Sequence, residues 1–175
     1  INLHICLILP IIFYRCLEIK FYNIDKKYLI LLSGLIFLSP TFRSLSIWPD
    51  SRVWGLLFFC FSIYYFLLYK KNKNFSNCIY VVLFYSISSY FSPNFSVFSI
   101  YFMFNFFKDL NIKEIIKLLI LNLFLSFPAL YYVFILDINF MFSATGVPGG
   151  ADDAVNNIFN KILIISTIII FYMIP

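Results

Sequence analysis

Two apolar runs of this chain are separated by the polar stretch SPTFRSLSIWPDSR, which occupies residues 39–52. This stretch contains Arg43, Asp50 and Arg52, whereas the sequence on either side of it is mainly apolar. A charge close to the hydrocarbon of a bilayer is costly, so it usually marks either a membrane boundary or a functional site. We expect the stretch to be both a boundary and a candidate site.

The composition predicts an integral membrane protein. Hydrophobic residues make up 62% of the chain and charged residues 12%, and the mean hydropathy is +0.92. Soluble domains typically carry about 25% charged residues, and a water-soluble fold of 175 residues could not hide this much apolar surface. Because the chain begins at Ile1 and ends at Pro175 inside an apolar run, we expect a fragment of a longer polytopic protein.

The apolar runs predict an all-α fold: a polytopic transmembrane helical bundle of about seven hydrophobic helices in one domain, residues 1–175. Stretch 78–107 is too long for a single span of about 20 residues, and Pro93 disfavours a helical Ser92 and removes a backbone donor. We therefore expect a short helical hairpin there, with one long kinked helix as the alternative. The predicted helices are 1–14, 28–47, 53–69, 78–91, 94–107, 115–136 and 158–175, with an outer loop at 137–157.

The distribution of basic residues favours the hairpin. With a hairpin, only Arg43, Arg52 and Lys161 fall on the outer side of the membrane. A single kinked span would add Lys108, Lys113 and Lys117 to that side. Lys and Arg are enriched in cytoplasmic loops, so we predict a multi-pass protein of the bacterial inner membrane, with the lipid bilayer as partner. The net charge of +5 is then a topology signal, with no nucleic acid implied. The cytoplasmic side would hold ten of the 13 basic residues, Arg15, Lys20, Lys26, Lys27, Lys70, Lys71, Lys73, Lys108, Lys113 and Lys117.

The segment around Asp50 has a structural and a functional interpretation. In the structural one, Trp48 anchors at the membrane interface, Asp50 or Ser51 caps the next helix, and Asp50 and Arg52 form a surface ion pair. In the functional one, Asp50 faces a cavity as a base or a metal-bridging carboxylate. Arg43 or Arg52 then holds a phosphate, because the guanidinium fork matches phosphate oxygens.

The arrangement resembles the middle of C-type-fold glycosyltransferases, the membrane enzymes that take sugars from polyprenyl-phosphate donors. The protein O-mannosyltransferase-like and aminoarabinose-transferase-like families are the nearest ones. In these families a helix ends in a Ser-Pro…Arg stretch, a luminal Pro-Asp segment follows, and a Leu- and Phe-rich span then ends in basic residues. The matching residues are LSPTFR at 38–43, WPD at 48–50 and the span 56–69 before Lys70 and Lys71.

The resemblance implies a periplasmic site in which Asp50 is the acidic residue and Arg43 and Arg52 stabilise the leaving phosphate. The reaction would be an inverting displacement at the anomeric carbon, in which a carboxylate deprotonates or orients the acceptor hydroxyl. The donor would be a polyprenyl-phosphate sugar. A divalent metal is left open, and neither a metal ligand nor another cofactor is assigned. The corner at 90–95 lacks the Lys that such families often carry there, so no phosphate-binding role is expected for it.

Two other functions stay open. A polysaccharide or lipid flippase, or another polytopic transporter, would use broken helices and often internal repeats, and no clear repeat is seen in this chain. An O-antigen-type polymerase would use a large outer loop bearing Arg, whereas residues 137–157 contain neither Arg nor Lys. Asp152 and Asp153 in that loop are interpreted as a flexible acidic segment rather than a metal site.

Overall fold

The structure, a computed structural model, describes residues 2–47 and 50–134. The chain divides into two compact units, Ile1–Ala129 and Leu130–Pro175. Within the described residues every regular element is helical, which confirms the all-α prediction for that part of the chain. The predicted outer loop 137–157, the last predicted helix 158–175, Asp152, Asp153 and Trp48 lie outside the described residues.

Seven α-helices follow one another in the described residues. Two 3₁₀ turns, Leu35–Leu38 and Pro93–Val97, interrupt the series. The helices are α1 (Asn2–Lys20), α2 (Lys26–Gly34), α3 (Pro40–Ile47), α4 (Ser51–Asn72), α5 (Phe75–Phe91), α6 (Phe98–Asp109) and α7 (Ile112–Phe134).

The single helix predicted at 28–47 is wrong. The structure divides this run into α2, a 3₁₀ turn and α3, with Ser39 in an extended conformation (φ −66°, ψ 118°) between the last two. The cause is Pro40, because a proline disfavours the helical conformation of the residue that precedes it. The Ser39 hydroxyl accepts a hydrogen bond from the Phe42 backbone N–H (3.3 Å), as the first residue before a helix often does.

The hairpin predicted within 78–107 is confirmed. Ser92 is extended (φ −150°, ψ 109°), α5 ends before it, and α6 follows the 3₁₀ turn. The chain folds back, because Asp109 at the end of α6 is bonded to Lys73, which lies just before α5. The α5 and α6 helices therefore run in opposite directions from the corner at Ser92.

Two of the described helices could cross a membrane by length and composition, α4 over Ser51–Asn72 and α7 over Ile112–Tyr131. With 22 residues, α4 is about 33 Å long, which matches a hydrocarbon core of about 30 Å. Helix α5 is apolar too, but it has only 17 residues. The bundle of seven spans is thus not confirmed.

Helix α4 is the centre of the first unit, because both of the hydrophobic clusters contain its residues. One cluster lies against α5, α6 and α7 and includes Phe66, Val81 and Phe106. The other lies against α1 and α3 and includes Leu9 and Phe42. Helix α4 therefore packs against α1 and α3 through one cluster and against α5, α6 and α7 through the other.

One side of the α4–α5 seam carries a ladder of aromatic rings. On α4 these rings are spaced three and four residues apart, so they share one face of the helix. Neighbouring ring centroids lie 4.9–6.4 Å apart, and most of the planes are within 25° of each other. The aromatic ladder consists of Trp54, Phe58, Phe61 and Tyr65 from α4 and Tyr80, Phe84 and Phe91 from α5.

Candidate functional site at the first turn of α4

Asp50 is the N-cap residue of α4. Its backbone is extended (φ −119°, ψ 127°), and its carboxylate accepts a hydrogen bond from the Arg52 backbone N–H at 2.8 Å. Asp is among the preferred residues at this position, because its side chain satisfies an N–H group that has no partner inside the helix. The cap that the sequence predicts at Asp50 or Ser51 is therefore confirmed at Asp50.

The Arg52 guanidinium turns back onto the same carboxylate. Its Nε lies 3.1 Å and 2.9 Å from the two Asp50 oxygens, and its Nη2 lies 2.6 Å from Oδ2. The Asp50 side chain is 19% exposed, whereas that of Arg52 is 68% exposed. The predicted ion pair thus forms within a single turn of the chain, with the carboxylate underneath and the guanidinium facing outward.

The pair fixes the charge of the carboxyl group. The hydrogen bond from the Arg52 guanidinium, followed by the one from the Arg52 backbone N–H, lowers the pKa of Asp50 below its ordinary value of 3.8. Asp50 is therefore ionised at neutral pH and is a weak base while Arg52 stays bound to it. A stronger base would require the guanidinium to move to another anion.

Arg43, the third predicted site residue, lies on α3 and has an exposed side chain. Its backbone N–H is bonded to the Ser39 carbonyl at 3.1 Å, which places it in the first turn of that helix. The described hydrogen bonds join Asp50 to Arg52, two of the three predicted site residues.

The corner between α5 and α6 approaches the first turns of α4 at Gly55. A methyl group added to Gly55 would lie 3.2 Å from Ser92 Cβ and 3.1 Å from Phe95 Cε2. The buried Ser88 hydroxyl donates a hydrogen bond to the Gly55 carbonyl at 2.7 Å. Sequence reasoning missed this approach, although a glycine inside an apolar helix is a known signal for close packing between membrane helices.

A second charged cluster lies at the opposite end of α4. Lys70 and Lys73 both bind Asp109 Oδ2, at 2.8 Å and 2.7 Å. These hydrogen bonds, that of Lys70 first, lower the pKa of Asp109 to about 2. Lys73 also has a left-handed backbone (φ 52°), which is uncommon for a residue other than glycine. Asp109 was not singled out from the sequence, because its partners are 36 and 39 residues away.

Metal ligands are not gathered in the part of the chain that the structure describes. Within residues 2–47 and 50–134, no group of three or more His, Cys, Asp or Glu side chains could hold an ion. The cysteines at positions 6, 16, 60 and 78 are free and buried. The chemistry available at the first turn of α4 is thus that of one carboxylate and one exposed guanidinium.

No protein-family model, curated protein or solved structure matches this chain.

Proposed function

We propose that the chain is part of a polytopic membrane glycosyltransferase of the bacterial inner membrane. In this proposal it moves a sugar from a polyprenyl-phosphate donor to a lipid, glycan or protein acceptor on the periplasmic side. The Lys-rich end of α4 lies in the cytoplasm, and the first turn of α4 lies at the periplasmic surface. No metal is assigned to the reaction.

The Asp50–Arg52 pair is the observation that carries the proposal. It lies at the N-terminus of a helix that is long and apolar enough to cross a bilayer. The Arg52 guanidinium is held by Nε and Nη2 but is 68% exposed, so Nη1 can meet a phosphate oxygen before the guanidinium leaves Asp50. A guanidinium suits a phosphate better than an ammonium does, because its planar fork binds two oxygens at once.

Each residue has a role in the proposed reaction. The bond from the anomeric carbon to the phosphate oxygen breaks while the bond to the acceptor oxygen forms. Arg52, together with Arg43, stabilises the negative charge that develops on the leaving phosphate. When the guanidinium shifts towards that phosphate, Asp50 loses its first hydrogen-bond partner and its pKa rises. Asp50 then orients the acceptor hydroxyl and takes its proton.

The first test is the binding of undecaprenyl phosphate to the chain in lipid nanodiscs, measured by native mass spectrometry. We expect Arg52→Gln to weaken binding about tenfold, as the loss of one charge-assisted hydrogen bond would. The matched control is Lys113→Gln, which removes one positive charge from an exposed site on α7 and should leave binding unchanged. Equal binding by the Arg52 variant and the native chain would overturn the proposed phosphate site.

The second test separates transfer from transport. Vesicles that contain the chain are supplied with a polyprenyl-phosphate donor whose sugar carries a radiolabel. Transfer predicts that the label leaves the donor lipid, and that Asp50→Asn slows this release by at least about tenfold, the lower part of the range for a general base. If the label crosses the bilayer while it stays on its lipid, the chain is a flippase and the transferase proposal fails.

A further inference from the structure

A groove lies beside the last turns of α1 and α4 and is separate from the Asp50–Arg52 pair. Its volume is about 680 Å³. Its floor includes Phe66 and Leu67, and Tyr101 of α6 forms part of one wall. The charged and polar residues around it include Glu18, Lys20, Tyr22, Lys70 and Lys71. The groove therefore has an apolar floor and a rim with three lysines and one glutamate.

The charges of the groove do not cancel. Glu18 is already bound by Arg15 at 2.9 Å and by Lys26 at 3.2 Å, and these hydrogen bonds lower its pKa. Lys70 is bound to Asp109. Among the described residues no ion pair engages Lys20 or Lys71, the two remaining lysines of the rim. The carbonyl ends of α1 and α4 offset part of this charge, and the rim keeps a net positive potential.

The aromatic residues of the groove are placed for a ligand with both polar and apolar parts. Tyr22 is 82% exposed and Tyr101 is 56% exposed, whereas Phe66 beneath them is buried. Tyrosine is enriched where hydrocarbon meets water, because its ring prefers the apolar layer and its hydroxyl the polar one. A wholly polar ligand, such as free phosphate, would leave this apolar floor without a partner.

We propose that the groove binds the phosphate headgroup of an anionic glycerophospholipid. Lys20 and Lys71 contact the phosphodiester oxygens, and the acyl chains extend along the floor past Phe66 and Leu67. This inference rests on the proposed function for one premise, namely that α4 spans the bilayer. It does not depend on sugar transfer, since the groove is at the opposite end of α4 from Asp50.

The test compares the full chain in nanodiscs of phosphatidylcholine with and without phosphatidylglycerol. Native mass spectrometry counts the phosphatidylglycerol molecules that stay bound, and thermal unfolding measures the stabilisation they give. We expect the double variant Lys20→Gln/Lys71→Gln to weaken the retention of phosphatidylglycerol by about tenfold or more, as the loss of two cation contacts near a membrane surface would. The charge-conserving pair Lys20→Arg/Lys71→Arg should retain it.

The matched control is Lys27→Gln/Lys113→Gln, which removes the same charge from two exposed lysines that do not line the groove. If this control loses as much phosphatidylglycerol as Lys20→Gln/Lys71→Gln does, the proposal is overturned, because the effect would then be one of general charge. Soluble glycerol phosphate that stabilises the chain as well as the lipid would also overturn it. Arg52→Gln separates the two proposals, since it should lower undecaprenyl phosphate binding and leave phosphatidylglycerol retention unchanged.

Discussion

The two ends of α4 both pair a carboxylate with basic side chains, but they do so over different distances along the chain. At the N-terminal end, Asp50 binds Arg52, two residues away. At the C-terminal end, Asp109 binds Lys70 and Lys73 from more than 35 residues away and so ties α6 to the turn between α4 and α5. The second set of charges joins separate helices, whereas the first lies within one turn of the chain. We therefore expect a change at Asp50 to affect stability less than a change at Asp109 does.

The largest expected effect comes from the uncharged packing near the first turns of α4. Gly55→Leu places a side chain where even a methyl group would lie 3.1–3.3 Å from Phe95, Ser92 and Ser88. We expect a loss of at least about 1–3 kcal/mol in the free energy of unfolding, the usual cost of overpacking. The measurement is unfolding in detergent followed by circular dichroism. The control is Gly34→Leu, since nothing lies within 4 Å of a Cβ there; equal losses would contradict the close approach.

A smaller loss should follow from Asp109→Asn, which leaves Lys70 and Lys73 without their shared carboxylate. Since the pKa of Asp109 falls from 3.8 to about 2 on folding, its stabilisation is present above pH 3.8 and lost as the pH falls towards 2. Unfolding midpoints of the native chain and the variant should therefore differ most at neutral pH and converge near pH 2. A difference that does not depend on pH would show that the carboxylate charge is not the cause.

Removal of the buried Tyr69 hydroxyl, close to the Asp109 cluster, should not lower the free energy of unfolding. Tyr69 is 1% exposed, and its hydroxyl lies near Asp109 but makes no hydrogen bond of standard geometry among the described residues. We expect Tyr69→Phe to leave the free energy of unfolding unchanged or to raise it by up to about 1 kcal/mol, because an unsatisfied buried group is removed. The paired variant Tyr90→Phe should instead lower stability, since the Tyr90 hydroxyl donates to the Leu125 carbonyl. Destabilisation by Tyr69→Phe would indicate a bonded hydroxyl.

The smallest effect on stability is expected at Asp50 itself. Asparagine keeps the N-cap, so Asp50→Asn should change the free energy of unfolding by no more than about 0.5 kcal/mol, whereas Asp50→Ala should cost about 1 kcal/mol. The two variants are compared by chemical unfolding in the same nanodiscs. A large loss in Asp50→Asn would place this carboxylate among the groups that hold the fold and would weaken the comparison between the two ends.

The sequence predicted the helices whose limits are set by local signals. The predictions for α4 and α5 were accurate to within three residues at each end, because Asp50, Asn74 and Pro93 mark their limits. The run at 28–47 was misjudged because its hydrophobicity was weighed above the effect of Pro40 on Ser39. Hydrophobicity shows which residues avoid water, but it does not show whether the backbone continues as one helix.

The contacts of the two charged clusters also differ in whether nearby sequence or the packing of distant helices determines them. The contact between Asp50 and Arg52 could be predicted because a cap and its neighbour are set by local geometry. The bonds from Lys70 and Lys73 to Asp109, and the approach of Ser92 to Gly55, depend on how separate helices pack. A single sequence does not indicate which distant residues are in contact, so these contacts could be found only from the structure.

The aromatic ladder gives the α4–α5 seam an optical reporter of its own. Trp54 lies at one end of it, with its ring 6.0 Å from Phe91 of α5 and 6.4 Å from Phe58. Since Trp48 is the only other tryptophan of the chain, all indole fluorescence of a Trp48→Phe variant arises from Trp54. Separation of α5 from α4 would take Phe91 away from that indole and change its emission. The opening and closing of the seam can therefore be followed in real time without an attached dye.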